Sequence, residues 1–148
     1  MDYVYKFPVV RGIQAKREYF IAMVPLKMLP HLFPIDDEYV LPEYRAQRKL
    51  NEARIPVISK YILDNRDSYV FSALAASIDG DFCFKADNSN QDAGTLEVSM
   101  DAKFLINDGQ HRKSSILEAM REDPSLGDET ISIVFFADKG LAPVSYTH

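Results

Sequence analysis

Residues 104–113 (FLINDGQHRK) hold the most informative chemistry of the chain. An apolar run, Phe104 to Ile106, delivers the backbone to a turn at 107–109, and a helical pattern starts just beyond it. The free N–H groups of a helix start, with the helix dipole behind them, favour an anion. Gly109 lets backbone approach a ligand closely. Arg112 can fork onto phosphate or carboxylate oxygens. Gly109, Gln110, His111 and Arg112 are therefore the candidate anion-binding positions. The same spacing equally describes a surface turn with solvated His111, Arg112 and Lys113, because one glycine before a helix is a weak signal. Asp108 reads first as an Asx-type cap ordering the bend. Asp108 and His111 are the weak candidates for chemistry, holding a metal or activating water.

A second candidate is a basic block. Between positions 41 and 60 there are five positive residues (Arg45, Arg48, Lys49, Arg54, Lys60) and two negative ones (Glu43, Glu52), a local charge of +3. The whole chain, with 17 Lys+Arg against 22 Asp+Glu, carries −5 over 148 residues. Such a balance opposes indiscriminate coating of DNA or of an anionic membrane, and it leaves room for one focused contact. On a helix, Arg45, Arg48 and Lys49 fall at i, i+3, i+4 and share a face. With Arg54 they are the candidate DNA-binding residues; a solvated helix face has the same pattern.

The elements that must position these residues are those of one mixed α/β domain. Strands are expected at 3–7, stopping at Pro8, and at 18–24, with a turn at 11–14 between them. A short helix fits 26–33, and helices fit 42–52 and 57–64, with Ile55 a joint before Pro56 and Ile58, Tyr61 and Ile62 turned to the core. An apolar strand is expected at 69–74, a hairpin-type turn at 79–81 and a strand at 82–84. A polar loop at 86–94 leads to strands near 95–100 and 103–106. The helix at 110–122 follows, with Ile116, Ala119 and Met120 on one face, and the best strand is 130–136. Acids at 36–38 and 123–129 read as solvated loops.

Several function classes fall away. One cysteine, Cys83, makes no intrachain disulfide and no multi-cysteine zinc site. His31, His111 and His148 lack metal-ligand spacing. Positions 1–20 show no secretory signal, and no apolar run spans a bilayer, so the expectation is a cytoplasmic protein without a membrane partner.

Asp108-Gly109-Gln110-His111-Arg112 matches the motif after which DGQHR-domain proteins are named. Blocks at 7–8, 12–14, 45–48, 54–56, 61–65, 69–74 and 127–130 resemble DndB, of the bacterial DNA phosphorothioation (DNA sulfur modification) system. The resemblance runs over 3–138; residues 139–148 (KGLAPVSYTH, from Lys139) look unlike the family continuation, so the chain reads as an N-terminal portion. It implies a DNA-binding transcriptional regulator whose partners are the promoter of the modification genes, other modification proteins and, as an oligomer, its own copies. The DGQHR region also resembles, distantly, the strand–turn–helix–strand core of the ParB/sulfiredoxin fold, whose Gly-x-x-Arg loop holds nucleotide phosphates. That analogy implies the alternative function, a nucleotide-binding or hydrolysing domain using Mg²⁺, related to ATPases and nucleases. Sulfiredoxin activity itself is excluded, because Gln110 stands where those enzymes carry the reactive cysteine and is no nucleophile.

Overall fold

The computed structural model describes residues 3–34 and 54–137. Along the chain lie β1 (Val4–Gln14), β2 (Arg17–Pro25), a 3₁₀ turn (Leu26–Met28), α1 (Leu29–Leu32) and α2 (Arg54–Asp64). Then come β3 (Leu74–Asp79), β4 (Phe82–Ala86), β5 (Ala93–Ser99), β6 (Lys103–Asp108) and α3 (Gln110–Glu122). A second 3₁₀ turn (Pro124–Asp128) leads into β7 (Thr130–Ala137). The expected mixed class holds: one seven-stranded sheet, in the order β4-β5-β1-β2-β7-β3-β6, carries the helices. All pairs are antiparallel except β3 with β7. Thus β6, α3 and β7 give the strand–turn–helix–strand succession, with β3 lying between the two strands.

This sheet is rolled. In a flat sheet β3 and β4 would stand five places apart, roughly 24 Å at the usual strand spacing. Only Gly80 and Asp81 join them, a link that reaches about 11 Å. Ring contacts across non-adjacent strands report the same curvature: Phe20 of β2 meets Phe84 of β4 at 5.5 Å, and Tyr5 of β1 meets Phe104 of β6 at 5.9 Å. The inner face collects Phe7, Val9, Phe20, Ala22, Val24, Leu96, Val98, Ile131, Ile133 and Phe135, all buried. Ile62 of α2 and Ile116 and Ala119 of α3 close the core.

Several local expectations change. The first strand does not stop at Pro8 but runs on to Gln14. Met100 N–H donates to Tyr3 O at 3.2 Å, so odd-numbered residues of β1 bond toward β5 and Pro8 faces the β2 side. There the ladder begins only at Val9↔Ala22, and the missing proline donor costs nothing. The turn lies at Ala15 and Lys16, both with positive φ (51° and 63°), a two-residue hairpin without the usual Gly or Asn signal. Gly12 sits inside the strand instead because the Tyr19 ring lies over it; a Cβ there would come within 2.6 Å of Tyr19 Cζ.

The strand expected at 69–74 begins only at Leu74; upstream of it Tyr69 bonds to Glu129, Val70 N–H to the Tyr61 hydroxyl and Ala73 O to the Arg112 guanidinium. The turn at 79–81 is real but joins strands that do not pair; β4 pairs with β5. Finally, α2 turns Ser59 and Ile62 inward and leaves Tyr61 41% exposed. No helix among the described residues is long and apolar enough to cross a membrane.

Candidate functional site

The motif lies where the sequence puts it, at the passage from β6 into α3, and Gly109 makes that passage possible. Its φ of 105° belongs to the left-handed region that favours glycine. A Cβ there would also lie 2.4 Å from Leu74 Cδ2 and 3.1 Å from Arg112 Nη2. No side chain caps the start of α3. Asp108 is thus not the Asx cap expected of it; its carboxylate is exposed and lies 3.6 Å from Arg112 Nη2.

Arg112 turns inward. Its Nη2 donates to the carbonyl of Ala73 at 2.9 Å, and its Nε is buried without a partner. The guanidinium therefore ties the α3 start to the segment that precedes β3. Gln110 is exposed and His111 half-buried, whereas Lys113 is buried. Ser115 is fully buried and donates to His111 O at 2.7 Å. The hydroxyl serves the helix. On the neighbouring strand Asn107 Nδ2 donates to Ser77 Oγ at 2.7 Å, fixing β6 to β3 just before the turn.

A second charged constellation was not singled out by the sequence. Arg66, in the turn after α2, donates through Nε to Asp123 Oδ2 at 2.9 Å, through Nη1 to Glu129 Oε2 at 2.5 Å and through Nη2 to Ser125 Oγ at 3.3 Å. Tyr69 Oη donates to the other oxygen of Glu129. Asp123 accepts from the backbone N–H and the hydroxyl of Ser125. The hydrogen bonds from Glu129 first, and Asp123 next, raise the Arg66 guanidinium above its ordinary range. The Ser125 hydroxyl, then Arg66, lowers Asp123; the Tyr69 hydroxyl, then Arg66, lowers Glu129. Burial, reinforced by the Glu129 contact, pushes the Tyr69 phenol up to about 12. Two of the acids expected to be solvated are thus partners in a network between α2, α3 and β7. Its members are scattered at 66, 69, 123, 125 and 129, with no periodicity to reveal them.

Of the candidate DNA-binding residues, Arg45, Arg48 and Lys49 lie outside the described residues, as do the acids at 36–38; Arg54 opens α2. No group of three or more His, Cys, Asp or Glu side chains placed to hold a metal occurs among the described residues.

A rolled mixed sheet whose DGQHR turn starts a core helix defines a domain built around that motif. The chain belongs to the DndB family of DNA-sulfur modification-associated proteins, whose family model matches residues 7–144. Comparisons with curated proteins and with solved structures find no match.

Proposed function

We propose that the chain is a DNA-contacting regulator within a DNA sulfur modification system, gripping the duplex through the basic segment that contains Arg45, Arg48, Lys49 and Arg54. One observation carries this reading. Within a family tied to DNA modification, a locally basic stretch of an acidic chain, +3 over positions 41–60, is also a stretch that the family model covers. Lys and Arg that neutralise phosphates release counterions, so such binding weakens as salt rises. A gel shift with a promoter fragment of the modification genes tests it. Arg45, Arg48 and Lys49 changed together to Ala are expected to weaken binding at least tenfold and to flatten its salt dependence. Unchanged affinity would remove the segment from the interface. Other proteins of the modification system are the partners this role implies.

A nucleotide-binding reading rests on the uncapped start of α3 behind the left-handed Gly109. It makes the N–H groups of Gln110 and His111 the anion contacts. Against it stand the commitment of Arg112 to Ala73 O and the exposed Asp108 beside the same helix end. Calorimetry with ATP, CTP and GTP, each with Mg²⁺, separates the readings: no heat from any of them ends this one.

A further inference from the structure

β2 pairs with β7 from Tyr19↔Phe136 to Pro25↔Thr130, but β3 joins it only from Leu74↔Ile133 onward. Thr130, Ile131 and Ser132 therefore have a strand on one side and no described strand on the other. The parity of the ladder says which groups are left over. Leu26 N–H donates to Glu129 O at 2.8 Å, which makes 26/129 a hydrogen-bonded pair; 25/130 and 23/132 are then non-bonded pairs. Thr130, with both its backbone groups, and Ser132, with its N–H, thus aim away from β2 toward the place β3 has vacated, while the Ser132 carbonyl meets Leu74 N–H in the parallel ladder.

That place is a cleft of about 540 Å³, and Thr130, Ile131 and Ser132 form one of its walls. Val70 and Phe71, held off by the contacts of the 69–73 segment, form the other, and Ile116 contributes apolar surface. The segment is braced: Tyr69 is bonded to Glu129, Val70 N–H to the Tyr61 hydroxyl at 3.1 Å, and Ala73 O to Arg112. Around the cleft stand Asp67, Asp128 and Glu129 against Arg66, whose charge is taken up by Asp123 and Glu129, while Lys27 reaches Asp128 at 3.4 Å.

We propose that this cleft binds an extended peptide segment of a partner protein, which adds as a short strand beside residues 130–132 of β7. An incoming strand supplies what the wall lacks, donors and acceptors at alternate positions. Residues 130–132 of β7 span about 10 Å of strand. A Val or Ile directed inward meets Ile116 and Phe71, and a flanking Lys or Arg answers Asp67. This inference stands apart from the DNA reading and uses none of its residues.

The test is an NMR titration of the full chain with a pool of acetylated, amidated hexapeptides alternating Val or Ile with Ser, Thr, Lys or Arg, followed by the best single peptide. Amide shifts are expected at Thr130, Ser132, Val70 and Phe71 and not along β4 or β6. N-methylation at every second peptide amide should weaken binding at least tenfold, and at the intervening amides less than twofold. Ser132→Pro should also cost tenfold or more, since its N–H faces the cleft and not β2. Should that variant fail to fold, the N-methyl series decides alone. No binding below millimolar, an N-methyl series without alternation, shifts confined to β4 or β6, or Thr130 and Ser132 amides already protected from exchange in the free chain would each overturn the proposal. Binding should persist in the Arg45, Arg48 and Lys49 triple variant.

Discussion

Two arginines hold the segment between α2 and β3, one near each end, and they do so by different chemistry. Arg66 sits among carboxylates, with Asp123 at 2.9 Å and Glu129 at 2.5 Å, and Tyr69 completes the set. Arg112 is aimed at a neutral backbone carbonyl, with the exposed Asp108 only at 3.6 Å. Both side chains are 26% exposed, so burial does not distinguish them. What distinguishes them is the partner. The first anchor is electrostatic and responds to pH; the second is a hydrogen bond to a group that does not titrate. A motif arginine can thus be structural, while an arginine outside any motif carries the denser charge network.

The comparison can be broken first at its backbone hinge. Gly109→Ala should cost about 3 kcal/mol in urea unfolding, combining left-handed strain of about 1–2 kcal/mol with overpacking against Leu74. Arg112→Ala should cost about 2 kcal/mol by stranding the part-buried Ala73 carbonyl, and that loss should be flat between pH 5 and 8. A loss that instead tracked ionic strength would mean that Asp108, not the carbonyl, is the partner that matters.

The electrostatic anchor is sharpened by titration. Tyr69→Phe should cost about 1 kcal/mol at neutral pH, read by thermal or urea unfolding. The folded phenol titrates near 12 against an ordinary 10.0, so its contribution is complete below pH 10 and is lost as pH rises toward 12. Ultraviolet titration should show a tyrosine titrating near 12 that is absent in the Phe variant. Asp123 and Glu129 are displaced the other way, below the ordinary carboxylate range. Their contribution is present above about pH 4 and is lost as pH falls through the depressed values. The smallest effect belongs to the exposed pair Lys27–Asp128 at 3.4 Å: Lys27→Ala should change stability by less than about 0.5 kcal/mol. A larger cost there would show that proximity alone, without shielding from water, suffices for an anchor in this domain.

Most elements were legible from period and punctuation. The helix at Gln110–Glu122 and the strand at Thr130–Ala137 stand almost where apolar spacing sets them, because each buries one face against the same core. The misses share a cause. Pro8 and the Ala15–Lys16 turn contradict local preference, and the pairing of neighbours tolerates both. The late start of β3 is decided by Tyr69, Val70 and Ala73 bonding to residues up to 60 positions away.

By itself the sequence determined the mixed class, the membership announced by DGQHR and neighbouring blocks, and the local reversal of charge at 41–60. These are properties of composition, periodicity and motif, which exist before folding. Only the tertiary structure decided that the sheet rolls, that Arg112 faces a carbonyl, and that Arg66 gathers Asp123 and Glu129. Only it left the first residues of β7 without a strand on one side among the described residues. The partner of an arginine or of a strand edge depends on which distant segments the core brings together, and no spacing along the chain encodes that distance.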